Sequence, residues 1–209
     1  MKQSAKEEYW NVLTHGVGAL LSVVGLMLLI FYNSNKTSYA TLSIWIYGLS
    51  AFLLFSISTI YHYVKSVETK NLLRKFDHIS IYFLIAGTYT PICLIPLANG
   101  IGWYFFWIVW GITAIGIILK LFFTGRFEGL SLLLYLAMGW LIVFDFKNLM
   151  EVLSKNQLLL LMLGGVFYTV GVVFYAIKKI PFHHVIWHLF VLAGAIAHFF
   201  MILDVIRAY

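Results

Sequence analysis

The sequence predicts an all-α integral membrane protein: one domain, residues 1–209, forming a bundle of seven transmembrane helices with a cytoplasmic N-terminus and an outside C-terminus. Three observations carry that prediction. Of 209 residues, 62% are hydrophobic and only 11% charged, and the mean hydropathy is +0.93, far outside the usage of a soluble domain. Seven apolar runs are each long enough to cross about 30 Å of hydrocarbon as a helix. The basic residues are distributed unevenly between those runs, which sets an orientation.

The first run, 16–32, follows "MKQSAKEEYWN"; the two acids in that stretch and the length of the run argue for a retained helix and against a cleaved signal peptide. The second, 42–64, ends on "STIYH", and the third, 76–98, opens on Asp77 and His78. The fourth covers 102–123. The fifth, 127–146, has the weakest pattern, because Glu128 and Asp145 trim its apolar middle. The sixth, 157–177, contains "GGVFYTVG", which like "GVGALLSVVG" in the first lets neighbouring helices approach closely. The seventh, 182–203, opens on "HHVIWH". With the N-terminus inside, the cytoplasmic segments hold Lys2, Lys6, Lys65, Lys70, Arg74, Lys75, Lys120, Arg126, Lys178 and Lys179, ten of the fourteen basic residues; Lys36, Lys147, Lys155 and Arg207 lie on the other side. The linkers are short and leave no room for a second domain. The single cysteine, Cys93, is expected as a buried core thiol. A net charge of +6 without a basic stripe interleaved with aromatics makes nucleic acid an unexpected partner.

On this map the histidines share one level of the membrane. His15 opens the first span, His62 closes the second, Asp77 and His78 open the third, and His183, His184 and His188 open the seventh, all at the cytoplasmic end. His184 and His188 are one helical turn apart and project from the same face. Ser58 and His62 have the same spacing, so a third imidazole and a hydroxyl come from another helix. Three neutral imidazoles with an open fourth position favour zinc, which lowers the pKa of a bound water to about 7. Asp77 is the one acid placed within a span at this level, suited to take the proton of that water and return it to a leaving group. Ser58 is suited to orient the water or an oxyanion. Glu8 is expected to orient a neighbour. For Asp77 the alternative is a structural partner for Arg74 or Lys75. His15 and His183 are expected beside the site and not on the metal, and His198, deeper in the seventh span, as a hydrogen-bonded interior residue.

The pieces also have a familiar order. "ExxNxxTH" at Glu8, Asn11, Thr14 and His15, "SxxxH" at Ser58 and His62, Asp77 in "FDHISIYFLIAGTYTP", and "HxxxH" at His184 and His188 followed by "AGAIAHF" resemble the progestin and adipoQ receptor family, in particular its bacterial haemolysin III branch. The resemblance covers nearly the whole chain. It implies a seven-helix bundle, inserted in the inner membrane of a bacterium, with zinc near its cytoplasmic end on His62, His184 and His188. It further implies an Asp77 that reaches the ion through water, and Ser58 close by. Ceramidase activity, proposed for the adiponectin receptors of this family, is the activity implied. The receptors' long terminal extensions have no counterpart in this sequence, so recognition of a protein hormone is not expected.

Residues and resemblance together give a zinc-dependent hydrolase of a lipid amide or ester, with membrane lipids as partners. The alternative is a lipid-sensing or regulatory protein with a structural zinc. A pore is disfavoured, since polar residues cluster at one end of the spans. A di-iron desaturase needs more histidines than the seven present, and no histidine pair is placed for a b-type haem.

Overall fold

The computed structural model describes residues 3–209, and among them every regular element is helical. In chain order these are α1 (Ala5–Phe31), α2 (Ala40–Tyr63), α3 (Val67–Leu94), α4 (Gly102–Phe123), α5 (Glu128–Trp140), a short 3₁₀ segment (Leu141–Asp145), α6 (Phe146–Val152), α7 (Lys155–Ala176) and α8 (His183–Ala208). Six stretches are long and apolar enough to cross a membrane: α1, α2, α4, the joined Glu128–Val152 stretch, α7 and α8. Large apolar side chains such as Phe31, Trp107, Phe122 and Phe144 stand exposed on the outside of the bundle. In water such a surface would drive aggregation, and in a bilayer it is the lipid contact.

The helix missing from that set is α3, and its packing explains why. It lies against α2, α4, α5 and α8. Enclosed by protein, it does not need an apolar residue at every position, and it carries buried Ser80, Tyr82, Thr88, Tyr89 and Thr90. Thr88 and Thr90 return their hydroxyls to the carbonyls of Leu84 and Ala86, so neither reaches the core unsatisfied. The chain then turns into α4 over Gly102, where a Cβ would meet the backbone oxygen of Cys93 at 2.1 Å, which no side chain but hydrogen allows. Cys93 itself is fully buried, as expected.

Several boundaries differ from the sequence expectation, among them the start of α3 at Val67, nine residues before its apolar run, and the end of α8 at Ala208, five residues beyond its own. The first helix starts at Ala5, eleven residues before the apolar run, because Ser4 and Glu7 form a capping box in which each side chain accepts the other's backbone N–H. The fifth is broken in the middle. Tyr89 of α3 inserts its hydroxyl into the backbone there, donating to the carbonyl of Gly139 at 3.1 Å and accepting the N–H of Ile142 at 2.9 Å. A side chain inside the helical ladder is a recognised cause of such a break.

Candidate metal centre

At the end of the bundle where α1 starts, α2 ends and α8 starts, α1 packs against both of the others. The apolar spacing of α1 puts Asn11, His15, Gly18, Gly25 and Leu29 on its buried face, and Glu8 lies one turn before that stripe. Opposite it come the last turn of α2, with His62, and the first turns of α8, with His184 and His188.

The three imidazoles converge. One ring nitrogen from each of His62, His184 and His188 lies within 4.8 Å of the others, a spacing that can hold a metal ion. Their ring centroids are 4.6–5.1 Å apart. For His62 and His188 it is Nδ1 that has a protein neighbour. Glu8 Oε2 holds His62 Nδ1 at 2.6 Å, leaving Nε2 buried without any protein partner. The Thr14 hydroxyl lies 3.4 Å from His188 Nδ1. A carboxylate behind a ligating imidazole sets its tautomer and strengthens it as a donor. An orphaned buried Nε2 in a nitrogen-only donor set fits a borderline divalent cation such as zinc.

Against the triad, with His184 and His188 in its lining, lies a cavity of about 640 Å³, the size of a small-ligand site. Ser58 and Asp77 both line it, Ser58 buried one turn from His62, and Asp77 half-buried on α3. Arg74 pairs with Glu128, and no ion pair joins Asp77 to Arg74 or Lys75 among the described residues; His78 Nδ1 lies 3.7 Å from Asp77 Oδ2. The purely structural alternative for Asp77 thus lacks its partner. His78 gives Nδ1 to the carbonyl of Arg74 at 2.7 Å. His15 is buried and stacks face to face on His188, centroids 3.5 Å apart, outside the triad. His183 also lines the cavity without joining the triad.

Sequence reasoning missed the ties that hold this arrangement. Lys70 anchors the second oxygen of Glu8 at 2.6 Å. The carboxylate of Glu7 accepts the N–H of Phe182 at 3.3 Å, joining the starts of α1 and α8. The usable signal was "SAKE": read as a capping box, it makes Glu8, Asn11 and His15 helical and places them on one face.

Fold and site together define a multi-pass helical membrane protein with a three-histidine centre at one end of its bundle. Comparison with known proteins gives the family. Residues 3–199 match the family model described as haemolysin-III related. The chain is 45% identical to Hemolysin-3 of Bacillus cereus over 204 residues, 97% of this chain and 93% of that protein. It is 47% identical to the Hemolysin-3 homolog of Bacillus subtilis (strain 168) over 199 residues, 95% and 93% of the two chains. Monocyte to macrophage differentiation factor of Homo sapiens is 32% identical over 216 residues, 96% and 85%. The chain belongs to the haemolysin III family, within the wider progestin and adipoQ receptor family that its motifs resemble.

Proposed function

We propose that the protein is a zinc-dependent membrane hydrolase that cleaves an amide or ester bond of a lipid at the cytoplasmic end of its bundle, in the bacterial inner membrane, with α3 as the seventh membrane crossing. The observation that carries this reading is the convergence of His62, His184 and His188 beside a cavity that His184 and His188 line together with Asp77 and Ser58. The orientation rests on the ten basic residues that the sequence assigns to the triad's side of the membrane, of which Lys2 lies outside the described residues.

When bound, zinc would supply a Lewis acid for the scissile carbonyl and a water acidic enough to ionise near neutral pH. The remaining work falls to the chain. Glu8 and Thr14 fix the rings of His62 and His188, Asp77 accepts the proton of the attacking water and returns it to the leaving amine or alkoxide, and Ser58 donates a hydrogen bond to the developing oxyanion. The apolar lining, including Leu54, Ile81 and Val191, excludes water from the lipid tail. The name of the bacterial relatives suggests lysis, but the polar groups of this chain gather at one end of the bundle, which does not make a conducting path.

The test is metal analysis of the purified protein beside an untargeted lipid-product screen, wild type against His184→Ala. Near-stoichiometric zinc and a hydrolysed lipid are expected for wild type alone; equal metal content in both would sink the reading. A finer test addresses the tie behind His62. Glu8→Gln is expected to weaken zinc binding about 10–100-fold in a competitive chelator titration. An unchanged affinity would mean that the carboxylate serves Lys70 only.

A further inference from the structure

The cavity beside the triad grades from charge to grease. Near the helix ends its lining carries Lys65, Lys70, Arg74 and Lys178, and farther in it carries Leu54, Ile81 and Val191. Leu54 precedes His62 by eight residues on α2, and Val191 follows His183 by eight on α8, so this apolar floor lies about 12 Å farther into the bundle than those helix ends.

The four cations of the lining are not alike. Lys70 is held by Glu8 at 2.6 Å, and Arg74 by Glu128. Lys65, in the α2–α3 linker, and Lys178, in the α7–α8 linker, are exposed, and among the described residues no carboxylate pairs with either. Asp77, the remaining acid of the lining, reaches neither lysine. Two ammonium groups from separate linkers therefore stand unpaired at the mouth of a cavity with an apolar floor. Amide donors stand with them: Gln3 accepts Asn11 Nδ2 at 2.9 Å through its own Oε1, which leaves its amide N–H groups for a ligand, and Asn71 lines the same space. Retention of lysine on the cytoplasmic side explains basic residues anywhere on this surface. It does not explain why Lys178 lines the cavity while its neighbour Lys179 does not.

Lysine is a compact charge with three donors and no acceptor, suited to phosphate oxygens. A soluble anion would match the mouth and leave the floor without a partner; an uncharged lipid would match the floor and leave the lysines without one. We propose that the cavity selects a lipid with an anionic, phosphate-bearing head group, held by Lys65 and Lys178, with an acyl chain along Leu54, Ile81 and Val191. Cleavage of that lipid rests on the hydrolase reading above; the selection by charge does not.

The experiment measures binding of dioctanoylphosphatidylglycerol, dioctanoylglycerol and glycerophosphate to the purified full-length protein in a nonionic detergent, by calorimetry. It is run with and without chelator, which separates binding by the lysines from phosphate on a metal. The phosphatidylglycerol is expected to bind about tenfold more tightly than the uncharged glyceride of the same chains. Lys178→Gln should weaken this preference, and Lys65→Gln combined with Lys178→Gln should remove it while leaving dioctanoylglycerol binding unchanged. Lys179→Gln takes the same charge from the surface without touching the lining and should keep the full preference. Equal affinities in the wild type, a preference that survives the double substitution, one that Lys179→Gln weakens as much as Lys178→Gln, or one that chelation abolishes would overturn the proposal. Glycerophosphate binding as tightly as the phospholipid would overturn it too, by making the cavity a site for a soluble anion. An intact preference without lipid turnover would instead defeat the hydrolase reading and leave this one standing.

Discussion

Replacing Asp77 by alanine is expected to leave zinc bound and to lower lipid turnover by about a hundredfold to ten-thousandfold, the usual contribution of a positioned proton-transfer group. The separation of the two effects follows from where the carboxylate sits. Asp77 comes from α3 and stands outside the triad supplied by α2 and α8, so its removal takes away no imidazole. Among the described residues its carboxylate pairs with no lysine or arginine either, since Arg74 is held by Glu128. Truncation therefore strands no buried cation, and the fold should persist. Metal content and product formation measured on one preparation check this. Zinc lost together with Asp77 would make it a ligand, and undiminished turnover would move the proton transfer to another residue.

Stripping the metal should have a different signature: turnover disappears and the midpoint of thermal unfolding falls, both restored by added zinc. An ion present at a hundred times its dissociation constant stabilises the folded state by about 2.7 kcal/mol. For a chain of this length that amounts to a shift on the order of 5–10 °C. The stabilisation is expected because the triad bridges α2 and α8, which otherwise meet mainly through α1 and α3. The same scan separates the hydrolase from a sensor with a structural ion. In the sensor, zinc moves the midpoint while no lipid product appears under any condition. In the hydrolase, Asp77→Ala abolishes turnover and keeps the zinc-dependent midpoint.

Much of this is legible in the residues alone. Those at a helical spacing near span ends, His184 with His188 and Ser58 with His62, have to fall on single faces, and the order of the apolar runs has to bring their levels together. Less visible is α1 as a working part of the site. Its polar first turns lack the apolar pattern that marks a span, and only the capping box shows that Glu8, Asn11 and Thr14 continue the helix. The break in the fifth span is also hidden, because its cause, the hydroxyl of Tyr89, lies some fifty residues earlier.

By itself the sequence determined the membrane solvent, the helical class and the place of each imidazole along its helix, because hydropathy and helical rise are local properties that each segment carries alone. Which atoms meet was decided only by tertiary packing. The grip of Glu8 on His62, the stacking of His15 on His188 and the seating of His198 on Gly164 and of Tyr168 on Gly194 depend on how helices rotate about their own axes. That rotation is set by steric fit between side chains distant in the chain, and no segment encodes it alone.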